Sequence, residues 1–134
     1  MSEAAIDIKK IFYRRYLPAI LWAALIFVGS SIPSQSMPKF TIETKDLVLH
    51  FIEYALFGVF LAIAFISSSD RISWKPFNIA LLVGVVYAAL DELHQKFVSG
   101  RVCAFTDFVA DSLGVLFGLA LFIAVLKTKE RFTG

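Results

Sequence analysis

Cysteine is almost missing: Cys103 stands alone among 134 residues, so the chain has no internal disulfide and cannot be a disulfide-stapled fold. Charge is scarce too, at 18% of residues, against about 25% in soluble domains. The net charge is only +2, and the bases form no cluster of the kind that nucleic-acid binding requires. Internal repeats and linker-like stretches are also lacking, which leaves no boundary for a second domain. What abounds is apolar: 58% of the residues are hydrophobic, with 14 Phe, 4 Tyr and 2 Trp. Disordered chains lack such a complement of aromatics. A water-soluble domain of this size still exposes about a third of its unfolded surface and could not hide so much apolar material. The composition therefore predicts a single integral membrane domain over residues 1–134.

Charged residues divide the apolar sequence into four segments, 16–32, 47–66, 77–98 and 104–126. A bilayer core about 30 Å thick takes about 20 helical residues, so each segment suffices for one crossing. The segments are long and show no alternation of period two, which excludes strands. The expected fold class is an all-α membrane protein with four transmembrane helices. The first segment also shares features with a cleavable signal peptide: a basic start, an apolar stretch, and small residues at Gly29, Ser30 and Ser31. Its basic region is long for that role.

Bases set the expected orientation. Lys9, Lys10, Arg14, Arg15, Arg71, Lys75, Lys127, Lys129 and Arg131 fall on one side, and Lys39, Lys45, Lys96 and Arg101 on the other. The excess marks the cytoplasmic side, so both termini are expected in the cytoplasm and the first and third connections outside.

With helices running alternately in and out, a rise of about 1.5 Å per residue brings the polar residues to a common depth. His50, Glu53 and Tyr54 fall about 5–10 Å below the outer boundary on the second helix, and Asp107 and Asp111 about 5–10 Å below it on the fourth. Asp91 and Glu92, on the third, lie at about 8–9 Å. Asp46, His50 and Tyr54 recur at i, i+4, i+8, while Asp107, Asp111, Gly114 and Gly118 share another face. Facing lipid, an Asp at a helix centre costs about 2.5–3.5 kcal/mol, less near an interface. Both faces are therefore expected to turn inward toward Glu92, His94 and Gln95, making an outward-opening polar pocket capped by Arg101. The bland alternative is that these groups glue helices together or are solvated near the headgroups. Gly114-x-x-x-Gly118 is expected to serve helix packing, and Trp22, Trp74 and Tyr87 ordinary structural roles, with Trp74 at the inner interface.

Asp46-x-x-x-His50-x-x-x-Tyr54, then Asp91-Glu92-x-x-Gln95, Gly100-Arg101, Asp107, Asp111 and Gly114-x-x-x-Gly118 together resemble the VanZ-like family. The resemblance covers about Asp46 to Leu126. It implies a small, multi-pass protein of the bacterial cytoplasmic membrane, from a family whose founding member is linked to low-level teicoplanin resistance. Two departures stand out: Leu47 replaces the Lys usual after the first Asp, and Asp111 stands where the family often has Asn. The resemblance implies a membrane setting and a site, but no reaction.

The leading expectation is a pocket that binds or acts on a cell-envelope lipid or a glycopeptide antibiotic. In it Asp46, Glu53, Tyr54, Gln95, Arg101 and Asp111 contact the ligand. An alternative is an enzyme modifying a lipid-linked or phospholipid substrate by general acid–base chemistry. There His50 is the base, oriented by Asp46 or Glu53, Asp91 or Glu92 is the acid, and Asp107 lies beside them. Crowded carboxylates in a low-dielectric layer favour such a division of protonation states. A structural or accessory protein without a ligand is a further alternative. No cofactor is expected and no zinc motif is present, since Asp91-Glu92-Leu93-His94 is not His-Glu-x-x-His. The weaker metal alternative draws on His50, His94, Glu92 and Asp107. Membrane lipids are the expected partners, and nucleic acid is not.

Overall fold

The protein, seen in a computed structural model, is described over residues 3–33, 35, 43–66 and 73–133. These form helices α1 (Glu3–Ser30), α2 (Glu43–Phe65), α3 (Trp74–Gln95) and α4 (Phe105–Thr133), with no strand among the described residues. Each helix is long and apolar enough to cross a membrane. Lys39 and Arg71 lie outside the described residues, as do the side chains of Lys45 and Asp46.

The helices overrun the apolar segments where the flanking sequence favours helix. α1 starts at Glu3, well before position 16, because the basic stretch around Lys9, Lys10, Arg14 and Arg15 contains no Gly or Pro to stop it. α4 likewise continues past 126 through Lys127, Lys129 and Arg131 to Thr133. α3 has the expected length but is displaced along the sequence, starting at Trp74 rather than 77 and stopping at Gln95 rather than 98, with Lys96 as its C-cap. Beyond it the chain folds back: Phe97 N–H donates to His94 O, Val98 N–H to Gln95 O, and Arg101 N–H to Val98 O. Gly100, at φ 76°, supplies the left-handed residue that this reversal needs.

α2 lies at the centre and touches the other three helices, packing most extensively on α4. The seam between them is lined by glycine. A Cβ on Gly114 would collide with the Phe51 carbonyl, one on Gly118 with the Ala55 carbonyl, and one on Gly58 with the Val115 carbonyl. Small residues let two backbones approach to this range, the use expected for Gly114 and Gly118. Gly84 of α3 receives the Val115 side chain in the same way. Phe57, Leu61, Ala62, Ala80, Ala88, Val115 and Leu119 fill the interior, and Ile26 joins them from α1.

α1 is fastened by two aromatic donors. Trp22 Nε1 donates to the Glu53 carbonyl at 3.0 Å, and the Tyr87 hydroxyl donates to the Ala23 carbonyl at 2.6 Å. In a hydrocarbon setting, donors that accompany large apolar rings need such partners. Both residues thus join helices to one another, and Trp74 is exposed at the start of α3. Leu21, Leu25, Val28, Leu82, Leu116 and Leu121 point outward. So large an apolar exterior would aggregate in water and is at ease in lipid. The architecture is that of a multi-pass membrane bundle.

Candidate functional site

Successive helices run in opposite directions, so the C-terminal ends of α1 and α3 meet the N-terminal parts of α2 and α4 at one end of the bundle. Ser30, His50, Asp91, Glu92, Gln95 and Asp111, the buried polar and charged residues among those described, all lie at that end. Among the described residues the opposite end carries none. The layer has two halves.

One half joins α1 to α3. Asp91 is only 4% exposed, and its Oδ2 accepts from Ser30 Oγ at 2.8 Å and from Gln95 Nε2 at 3.2 Å. Gln95 is one turn beyond Asp91 on the same face, which brings its amide back onto the carboxylate. The other oxygen, Asp91 Oδ1, is buried without a hydrogen-bond partner. Next to this group, His94 Nε2 and Ser31 Oγ are 3.0 Å apart, and the His94 ring stacks on Phe27 with centroids 4.6 Å apart. Tyr54 is buried against Phe57 and Tyr87.

The other half joins α2 to α4, with α3 at its side. His50 Nδ1 lies 3.0 Å from Asp111 Oδ1, and Asp111 is fully buried. The close α2–α4 seam sets this distance, because Gly114 and Phe51 meet within one turn of the pair. Glu92 Oε2 accepts from the Ala104 N–H at 3.0 Å, tying the end of α3 to the start of α4. Asp107 sits in the first turn of α4, where a carboxylate complements the helix dipole, and Thr106 Oγ1 donates to its Oδ1 at 3.3 Å. Ligand atoms of His50, Glu92 and Asp107 all come within 4.8 Å of one another. Glu92 Oε1 and Asp111 Oδ2 are buried without hydrogen-bond partners. Each such acceptor costs about 1–3 kcal/mol unless something donates to it.

The expected site residues thus divide between the layer and its surroundings. His50, Asp91, Glu92, Gln95, Asp107 and Asp111 converge, and Tyr54 is buried one helical turn from His50. Glu53 is half-buried, and its backbone carbonyl serves the Trp22 contact. Asp46 belongs to α2, but its side chain lies outside the described residues. Arg101 makes its hydrogen bonds elsewhere: Nη2 donates to the Gly29 carbonyl at 3.1 Å and Nε to the Ile32 carbonyl at 3.3 Å. It closes the C-terminus of α1, where carbonyls lack intrahelical donors and positive charge is favoured. His94 faces α1 and stands apart from the His50 cluster.

Ser30 and Ser31, absent from the site residues to which the sequence points, both bond into the layer. The available signal was two hydroxyl side chains ending an apolar segment at the same depth as Asp91 and His94.

The comparisons with known proteins bear on this geometry. The model of the family described as VanZ/LLP1 matches residues 16–127, a range that contains every group in the layer. Neither a curated protein nor a solved structure matches the chain.

Proposed function

The chain belongs to the VanZ-like family, and we propose that it binds the polar headgroup of a cell-envelope lipid at the buried end of its bundle. In this reading the protein sits in a bacterial cytoplasmic membrane with both termini inside and the polar layer near the outer face. The distribution of Lys and Arg supports that orientation. The observation that carries the reading is Asp91, which holds two donors on one oxygen while its other oxygen is buried without any. The Tyr54 hydroxyl, also buried without a partner, lies beside Asp91 and offers one donor from within. A headgroup that brings further hydroxyl or amine donors, such as a sugar or an amino sugar, suits the pair. The sugars and amine of a teicoplanin-type glycopeptide offer the same chemistry, which connects this reading to resistance.

The test is native mass spectrometry of the full chain purified with its surrounding lipids. The parent protein should retain one lipid class selectively, and Asp91→Asn should lose at least about tenfold of it, the scale of a charge-assisted hydrogen bond. Equal retention by both would end the reading.

His50 and Asp111 favour a second reading, a membrane-embedded enzyme. A carboxylate on Nδ1 orients an imidazole for proton transfer at Nε2, and Glu92 and Asp107 are close by. An enzyme must convert a lipid extract with turnover, whereas a binding protein returns it unchanged.

A further inference from the structure

We propose that His50, Glu92 and Asp107 bind a divalent transition-metal ion, with Asp111 as the group that positions the histidine. The cluster draws one ligand from each of α2, α3 and α4, and the three ligand atoms already lie within 4.8 Å of one another. In a tetrahedral site with bonds of about 2.0–2.2 Å, ligand atoms stand about 3.4 Å apart. On binding, side-chain rotation would bring the three atoms to that separation.

A second, independent observation points to an ion. Glu92 is 3% exposed, and its Oε1 is buried without a hydrogen-bond donor. Its Oε2 is held by the Ala104 N–H, so the carboxylate is fixed in direction while one oxygen remains to coordinate. With Asp111 on His50 Nδ1, coordination by this histidine would fall to Nε2. A carboxylate on the far nitrogen of a metal-binding histidine fixes its tautomer and strengthens it as a ligand. Charge agrees as well, because the two carboxylates of Glu92 and Asp107 balance a divalent cation in a layer where uncompensated charge is costly.

The donor set narrows the ion. One imidazole with two carboxylates suits zinc or manganese, whereas calcium takes six to eight oxygens and magnesium keeps most of its waters. Three protein ligands leave at least one coordination position for an oxygen of water or of a headgroup. The ion therefore concerns the same polar layer as the headgroup reading but rests on different residues. Asp91, Ser30 and Gln95 take no part in holding it.

The experiment uses the full chain in detergent or nanodiscs, stripped with a chelator and titrated with zinc or manganese alone. Bound metal is read by elemental analysis and calorimetry, and circular dichroism confirms the fold of every variant. The parent should bind about one ion per chain, and Glu92→Gln and Asp107→Asn should each weaken binding by more than about tenfold. Asp111→Asn should weaken it by about 10–100-fold, as removal of an orienting partner does. His94→Gln and Asp91→Asn should bind metal as the parent does. A parent that takes up neither ion, or a folded Glu92→Gln that binds at parental affinity, overturns the proposal. So does equal loss in His94→Gln, which would show adventitious histidine binding. Selective lipid retention by a chelator-stripped protein that takes up no metal would overturn the ion while leaving the headgroup reading intact.

Discussion

His50 on α2 and Asp111 on α4 face each other at 3.0 Å, where glycine lets the two helix backbones nearly touch. The polar pair and the small-residue seam are one construction. Changes to the seam should therefore register at the pair.

Gly118→Leu and Gly114→Val place side chains against the Ala55 and Phe51 carbonyls, which cannot give way without separating the helices. Overpacking of this kind costs about 1–3 kcal/mol or more. Thermal unfolding in detergent should show a clear drop for both variants. Gly29→Ala is the control, because a Cβ there meets no atom within 4 Å. Its melting temperature should match or slightly exceed the parent's, since alanine is the better helix former.

Ser30→Ala removes one of the two donors to Asp91 Oδ2 and leaves a buried acceptor poorer by one bond. The expected loss is about 1–3 kcal/mol. A double-mutant cycle with Asp91→Ala should return a coupling of at least about 0.5 kcal/mol. Additive effects would show that the bond contributes nothing to stability.

Arg101 holds two carbonyls through two nitrogens, that of Gly29 in the last turn of α1 and that of Ile32 just beyond it. Arg101→Ala should lower stability by about 0.5–1.5 kcal/mol, the worth of a neutral-range hydrogen bond plus charge at a helix C-terminus. Arg101→Lys keeps the charge and one donor direction, so its melting temperature should fall between the other two. A lysine variant that melts with the alanine variant would make the planar fork, rather than charge, the decisive property.

Orientation is open to a labelling experiment. Cys103, exposed in the turn after α3, should react with an impermeant thiol reagent in intact cells. In a Cys103→Ala background, a cysteine replacing Ser99 should also react, and one replacing Lys127 should react only after permeabilisation. The reverse pattern would turn the polar layer toward the cytoplasm.

Four crossings and the common depth of the acids were legible in the sequence, because charge interrupts apolar runs visibly and helical rise is constant. Depth, however, says nothing about direction around a helix axis. His50 and His94 lie at similar heights, yet one joins Asp111 and the other stacks on Phe27. The difference arises because α3 buries the face bearing Asp91, Glu92 and Gln95, which leaves His94 to one side, toward α1. The direction of Arg101 is less legible still, since it depends on a backward turn through Gly100 that no periodicity encodes. The roles of Ser30 and Ser31 needed the partner helix, because a hydroxyl at a helix end is equally at home in water.

The glycine seam also acts as a ruler. Where helices are held apart by long side chains, their spacing drifts as rotamers change. Here main chain meets main chain at Gly58, Gly114 and Gly118, and peptide groups have no rotamers to exchange. The span between α2 and α4 is thus fixed by covalent geometry, and His50 and Asp111 inherit its tolerance. The lipid around the bundle is fluid, but the distance that most concerns the chemistry is set by the stiffest material the protein has.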